Sequence, residues 1–244
     1  MKIIALIPAR LESTRLPRKL LRMLDGKTIL RRTYEAVLAT ELFDEVIVVC
    51  DNQLLCEEMM QYNYRFMLSQ KEHESGTDRI AEAALNLDAD IIVNVQADEP
   101  FIEKQALQKV IDLFKDSKVE IASLKKQITE VSQINNPNCV KVVTDADGKA
   151  LYFSRSPIPY NRDQSESVVY FQHIGVYAFR KHMLLKFASL PPSTLEQIEK
   201  LENLRMLENG LSVYIAEIDH VGISIDTEED LLKAIDYLQV QRLV

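Results

Sequence analysis

The stretch KIIALIPARLESTRLPRKLL, Lys2 to Leu21, decides how the chain is read. Ile3 to Ile7 is an unbroken apolar run, the mark of a strand buried on both faces as in parallel sheets, not of a half-exposed alternating one. Pro8 is expected to end it. A loop follows that carries Arg10, Arg15, Arg18 and Lys19, with Arg22 just beyond, against a single acid, Glu12. An α/β protein binds its ligands in the crevice outside the strand C-termini, where the strand is fixed and the loop is open. Cations gathered there predict a polyanionic ligand.

The 244 residues suffice for one large α/β domain or two small ones, and 47% hydrophobic content excludes a disordered chain. A formal charge of -8 argues against non-specific binding to nucleic acid or to an anionic membrane, so the basic loop runs against the global sign. Pro8 and Arg10 break the first apolar run, and no stretch reaches the roughly 18 residues of a spanning helix. Neither a signal peptide nor a membrane anchor is therefore expected, and the expected location is the cytoplasm. Cys50, Cys56 and Cys139 are odd in number and lack CxxC spacing, and the four His residues are scattered, so there is no zinc pattern. The thiols are expected to be reduced and buried. The six glycines, at 26, 76, 148, 175, 210 and 222, are spaced too widely for GxGxxG or GxxxxGK[ST]. Any phosphate site must be built from side chains and a few backbone amides.

Taken in order, Thr28 to Leu42 has apolar residues at helical spacing and Glu45 to Cys50 reads as a second buried strand, completing a βαβ unit. Gln53 to Tyr62 reads as a helix and Tyr64 to Ser69 as a short strand. The segment HESGTDR, His73 to Arg79, places Ser75 three residues before Asp78 in a capping pattern ahead of an amphipathic helix. With Gly76 allowing close approach, that helix start is an anion or base contact. The strand Asp90 to Val95 runs into NVQADEP, which sets Asp98 and Glu99 at a strand end, and a helix over Gln105 to Lys115 follows. From Val119 the pattern changes to strands with few helices between them, predicting a mixed or antiparallel part of the sheet with a hairpin at Asp145 to Lys149. SPIPYNRDQSES reads as an exposed, mobile connection. Ser193 to Gly210 reads as one helix with a Ser193/Glu196 capping box, then the strand LSVYIAEI and a last helix burying Leu231, Leu232, Ile235 and Leu238. Thr227 and Asp230 cap that helix, which leaves the Asp226 carboxylate available. The absence of repeats and linkers predicts a single domain over 1–244, with an excursion around residues 145 to 180.

IPARLESTRLPRK, HESGTDR, NVQADEP, NPNCVKVV, LYFSR, HIGVYAFR, LENLR and SIDTEEDL, in this order across nearly the whole chain, resemble the 3-deoxy-D-manno-octulosonate (Kdo) cytidylyltransferases, also called CMP-Kdo synthetases. The resemblance implies a GT-A-like α/β nucleotidyltransferase fold with a mixed, mostly parallel sheet, flanked by helices and carrying a small antiparallel excursion. It also implies Mg²⁺-dependent transfer of CMP from CTP to the anomeric hydroxyl of a 3-deoxy-ulosonic acid. Pyrophosphate is released, activating the sugar for lipopolysaccharide inner-core synthesis. A homodimer formed partly through the 145 to 180 excursion is implied as well.

Residue by residue, Arg15 and Lys19 match the family's triphosphate contacts and Arg10 is an additional one. A triphosphate's charge must be neutralised before an anionic sugar acid can approach its α-phosphorus. Asp98 and Asp226 match the metal ligands, and Mg²⁺ takes one or two carboxylates with phosphate oxygens and waters. Asp98 is expected nearest the sugar hydroxyl, with Glu99 behind it. Ser75, Gly76 and Arg79, with the Ala9 backbone and Ser13, match the cytosine and ribose wall; Ser75 also reads as a plain helix cap. Gln96, His173, Tyr177 and Glu202 match the acceptor pocket, with Asn203 beside them. The chain departs from the family pattern at Arg18 and Ala97, where Gly is usual, at Gln172 in place of a common Arg, and at Asn203 in place of a common Gln. The last two leave room for a modified acceptor, an 8-amino-Kdo or a sialic-type nonulosonate, although LYFSR speaks against the latter. A nucleotide-binding protein without catalysis is disfavoured by the presence of both Asp98 and Asp226.

Overall fold

A computed structural model describes residues 1–165 and 167–243. The chain divides into two compact units, residues 1–107 with 221–244 and residues 108–220.

The first unit is built on β1 (Ile3–Ala9), all seven residues of which are buried. Two short strands, β2 (Met23–Leu24) and β3 (Lys27–Thr28), form a separate antiparallel ribbon. After them come α1 (Ile29–Ala39), β4 (Glu45–Cys50), α2 (Gln53–Gln61), β5 (Phe66–Leu68), α3 (Gly76–Leu85) and β6 (Ile91–Asn94), and the boundary at residue 107 falls inside α4 (Lys104–Asp112). Strands β6, β1, β4 and β5 pair in that order, all parallel. The uninterrupted apolar run of the sequence is thus a strand with neighbours on both sides, as its pattern requires. Pro8 does not end it: β1 continues to Ala9, with Pro8 opposite Val49. The Leu6 carbonyl accepts from the Val95 amide, so even-numbered residues of β1 face β6. That strand stops at Asn94, and the N–H that Pro8 lacks has no ladder partner to lose.

The second unit contains β7 (Ile121–Gln127), α5 (Val131–Ile134), β8 (Lys141–Thr144), β9 (Ala150–Ser154), β10 (Phe171–Arg180), α6 (Lys181–Ala188), α7 (Thr194–Glu199), α8 (Asn203–Glu208) and β11 (Val213–Ile218). Here β11 runs parallel to β7, while β7, β10, β8 and β9 are joined by antiparallel pairs, the mixed pattern expected from the change at Val119. The hairpin at Asp145 closes where its amide donates to the Lys149 carbonyl. The segment 193–210 is two helices instead of one: Lys200 takes a left-handed conformation (φ 53, ψ 47) and ends α7. Ser193 and Glu196 form the expected capping box. The connection after Ser154 is largely exposed, with Tyr160 86% accessible; Glu166 of that stretch lies outside the described residues.

Two of the blocks that carry the resemblance form framework. Lys141 is fully buried, and its ammonium donates to the carbonyls of Asn136 (3.0 Å), Cys139 (2.6 Å) and Arg155 (2.6 Å). Burial lowers its pKa. The Arg155 guanidinium in turn reaches the carbonyls of Glu199 and Pro137, both at 2.7 Å.

The last helix, α9 (Glu228–Leu243), belongs to the first unit. It buries Leu231 and Ala234 but leaves Leu232 56% exposed, so its apolar face is rotated from the expected one. All three cysteines are free and buried. No helix among the described residues is long and apolar enough to cross a membrane.

Candidate active site

The basic loop forms one wall of a cleft of about 320 Å³ at the C-terminal end of β1. Pro8, Arg10, Ser13 and Lys19 line it from the loop side. Ser75, Gly76 and Arg79 line it from the start of α3, and Gln96, Ala97, Asp98 and Asp226 close it. All of these residues belong to the first unit.

Asp98 and Asp226 are far apart in the chain, and a backbone bond brings them together: the Ile225 amide donates to the Asp98 carbonyl at 3.0 Å. Gly222 allows this approach, because a Cβ there would lie 2.4 Å from the Phe101 carbonyl oxygen. On the other side Thr33 Oγ1 donates to the Ala97 carbonyl at 2.9 Å, fixing the chain just before Asp98. Thr227 and Asp230 cap α9 reciprocally, so the Asp226 side chain is left for the cleft.

Both carboxylates meet on one cation. Lys19 Nζ lies 2.5 Å from Asp98 Oδ2 and 2.8 Å from Asp226 Oδ1, and Arg15 Nη2 lies 3.0 Å from Asp226 Oδ2. Burial pulls the Lys19 ammonium down, but Asp98 and Asp226 outweigh it and hold its pKa above the ordinary lysine value. Burial raises Asp226, and Lys19 with Arg15 more than compensates, holding it below the ordinary aspartate value. Behind them, burial and the neighbouring Asp98 carboxylate push Glu99 up to about 7. Two convergent carboxylates holding a cation match the donor set Mg²⁺ takes from protein, with phosphate and water completing it. Among the described residues no group of three or more His, Cys, Asp or Glu forms a self-sufficient metal cage.

The α3 side of the cleft is lined by His73, Glu74, Ser75, Gly76 and Arg79. Ser75 is the N-cap of α3: its Oγ accepts from the Asp78 amide at 3.0 Å and donates to Asp78 Oδ2 at 2.9 Å. A Cβ on Gly76 would meet Pro8 Cγ at 3.1 Å, so this glycine serves the packing of α3 against β1. Arg79 is buried, and its Nη1 reaches the Ala9 carbonyl at 3.4 Å.

Of the residues expected to touch a sugar, Gln96 lines this cleft, while His173, Tyr177, Glu202 and Asn203 form a cluster inside the second unit. A bulge in β10 between Ile174 and Tyr177 puts the His173 and Tyr177 rings 5.3 Å apart. Ser123 Oγ lies 2.8 Å from the Val176 carbonyl and 3.0 Å from His173 Nε2, an arrangement that places the imidazole proton on Nε2. Burial lowers the His173 pKa to about 3, so the ring is neutral. The Tyr177 hydroxyl hydrogen-bonds Asn203, and burial raises its pKa. Gln172 alternates to the other face of β10 from His173, opposite Lys126 and Lys141.

The comparisons with known proteins agree on one family. The Cytidylyltransferase family model matches residues 4–218. A 3-deoxy-manno-octulosonate cytidylyltransferase of Flavobacterium johnsoniae is 56% identical over 237 residues, covering 96% of this chain and 97% of the relative. The protein of the same name from Christiangramia forsetii is 49% identical, covering 96% and 95%. A solved structure of CMP:2-keto-3-deoxy-manno-octonic acid synthetase complexed with CTP superposes with a TM-score of 0.94 at 34% identity, covering 99% of this chain and all of that one. The chain belongs to the 3-deoxy-manno-octulosonate cytidylyltransferase family.

Sequence reasoning passed over one residue that lines the cleft and one that is bonded to its basic loop. His73 lines the cleft, its Nε2 paired with Glu82 on α3, and Glu82 also accepts from the Gln70 amide at 2.8 Å. The pairing spans a loop and a helix turn, which no periodicity reveals. Asp51, at the end of β4, accepts from the Leu11 amide at 2.9 Å. A single acid after a buried strand gave no signal by itself.

Proposed function

We propose that the chain transfers CMP from CTP to the anomeric hydroxyl of 3-deoxy-D-manno-octulosonate, releasing pyrophosphate. The observation that carries this reading is the convergence of Asp98 and Asp226 on Lys19, with Arg15 beside them, in a cleft whose far end is walled by Ser75, Gly76 and Arg79. A triphosphate needs cations at one end and hydrogen-bonding groups for its base at the other, and this cleft offers Lys19 and Arg10 for the first and Ser75, Gly76 and Arg79 for the second.

In the reaction the sugar hydroxyl attacks the α-phosphorus and pyrophosphate leaves in line. Arg15 and Lys19 bind the β- and γ-phosphates, with Arg10 assisting, and their charge lets the sugar carboxylate come near. Lys19, held by two carboxylates, exchanges those partners for phosphate oxygens when nucleotide enters. Asp98 and Asp226 would hold Mg²⁺, which when bound neutralises phosphate charge and lowers the pKa of a coordinated hydroxyl. The Ser75–Gly76 backbone reads the cytosine, the Ala9 backbone and Ser13 support this wall, and Arg79 closes it. Within the cleft, contact with the sugar acid is assigned to Gln96; His173, Tyr177, Glu202 and Asn203, clustered in the second unit, are assigned to the acceptor on the family resemblance. A neutral His173 is suited to hydrogen-bonding a sugar hydroxyl rather than to carrying charge. The same reading includes a cytoplasmic homodimer that activates the sugar for lipopolysaccharide synthesis, with residues 145–180 contributing to the dimer.

The departures at Gln172 and Asn203 keep a second acceptor, an 8-amino-Kdo or a sialic-type nonulosonate, as the alternative; the Oδ1 of the buried Asn203 has no hydrogen-bond partner among the described residues and accepts from a hydroxyl or an amine alike. A pyrophosphate-release panel decides: CTP or UTP, with Mg²⁺, against Kdo, 8-amino-Kdo and N-acetylneuraminate. The expected result is release with CTP and Kdo. No release from CTP with any 3-deoxy-ulosonate overturns the proposal.

A further inference from the structure

We infer that Asp51 is the positioning residue of the nucleotide half of the site, holding Arg79 and the start of the basic loop in one fixed arrangement. The inference rests on reading the cleft as the CTP site. Asp51 follows the last residue of β4, where three elements meet. Its backbone amide donates to the Ala9 carbonyl at 3.1 Å, continuing the β1–β4 ladder one step beyond Cys50. Its Oδ1 accepts from the Leu11 amide at 2.9 Å, which sets the direction in which the loop toward Ser13 and Arg15 leaves the strand. Its Oδ2 lies 3.6 Å from Arg79 Nη2 on α3.

The guanidinium of Arg79 explains why this matters. Its side chain is 7% exposed, so it cannot choose its orientation by solvation. Nη1 is on the Ala9 carbonyl and Nη2 faces Asp51, while Nε has no hydrogen-bond partner among the described residues although it is buried. A buried donor without an acceptor is costly unless a ligand supplies one. Arg79 lines the cleft, and a pyrimidine ring carbonyl or ribose oxygen is the type of acceptor a nucleotide brings there. Asp51 also supplies the negative charge facing a buried guanidinium, without which the cleft would hold an uncompensated cation. The carboxylate thus acts on nucleotide through Arg79 and through the Leu11 amide, not by touching it.

The test is calorimetric titration of the full chain with CTP in Mg²⁺ buffer, alongside steady-state kinetics and thermal melts, for Asp51→Asn and Asp51→Glu. Asp51→Asn keeps a carbonyl oxygen for the Leu11 amide but removes the charge facing Arg79. The expected result is CTP Kd and KM raised about tenfold and a lowered melting temperature in a protein still folded at the assay temperature, with kcat and the KM for the sugar acid close to wild type. Asp51→Glu, which restores the charge, recovers part of the loss. Combined with Arg79→Gln, Asp51→Asn adds less than about twofold, since both act on one contact. The inference is overturned by CTP affinity within about twofold of wild type in Asp51→Asn, by additive losses in the double variant, or by loss of the folded state in both Asp51 variants, which would make the residue purely structural. Titration needs no sugar acid: wild-type protein that binds CTP but releases no pyrophosphate with any ulosonate counts against the proposed reaction and leaves the Asp51 comparison intact.

Discussion

At position 18 the backbone is left-handed (φ 51, ψ 37), immediately before Lys19 turns into the cleft. The glycine usual in the family is therefore a conformational choice: glycine takes this region freely, while an L-residue is strained there by about 1–2 kcal/mol. Arg18 bears that strain with an exposed side chain. Offset by the greater unfolded-state freedom of glycine, Arg18→Gly is expected to stabilise the protein by about 1 kcal/mol, read as a rise of roughly 2–4 °C in the melting temperature. A fall in melting temperature would contradict this account of position 18. Glu99 poses the opposite case. Its pKa is raised to about 7 in the fold, by burial first and by Asp98 second, from an ordinary value of 4.5. Between these two values the folded state binds more protons than the unfolded chain, so stability falls as pH rises from about 4.5 to 7 and stays lower above it. Glu99→Gln, fixed in the neutral form, is expected to be more stable than wild type by on the order of 2 kcal/mol at pH 8 and nearly equal at pH 4.5. Paired denaturant titrations at the two pH values measure the difference directly.

The elements legible in the sequence were those whose pattern is local. β4 spans Glu45–Cys50 as its apolar run indicates, and all three caps form where Ser/Thr stands three residues before an acid, at Ser75, Ser193 and Thr227. What escaped depended on neighbours. Pro8 sits inside β1 because β6 ends early, and α7 is separated from α8 by a left-handed Lys200 that helical spacing does not mark. The face of α9 is set by what it packs on, which exchanged Leu232 for Ala234. Gly222 is the clearest instance: nothing in SIDTEEDL shows that the segment before it must cross the Phe101 carbonyl at a distance no side chain permits. Gly222→Ala must displace this segment, and the expected cost is about 2–3 kcal/mol of stability. Because Ile225 is bonded to Asp98, the displacement should also weaken CTP binding, and titration with CTP at a temperature where the variant remains folded separates the two effects. Unchanged stability together with unchanged CTP affinity would show that the approach is relaxed without consequence.

Across the molecule, a chain of net charge -8 places a cluster of cations on one loop and brings two acids from positions 98 and 226 to meet Lys19. The cations were readable because they run against the global sign. The pairing of the acids was readable only through the ordered family blocks, since a separation of more than half the chain length has no local signature; the Ile225–Asp98 backbone bond is what achieves it. Other parts of the same blocks, Lys141 and Arg155, support the frame, so matching a block does not by itself assign its residues to chemistry. The division between frame and chemistry gives a test at Asp98. Asp98→Asn keeps the volume and leaves Lys19 with Asp226 at 2.8 Å, so the fold and much of the CTP affinity should survive. The amide is a poor ligand for a hard divalent cation, and turnover should fall by a factor of about 100 or more. Chelation of divalent metal in the wild-type enzyme should abolish pyrophosphate release in the same way, with activity restored by added Mg²⁺. If Asp98→Asn turned over at near wild-type rate, the carboxylate would be a partner for Lys19 and nothing more. A variant that lost CTP binding along with turnover would place Asp98 in nucleotide capture instead of in the transfer step.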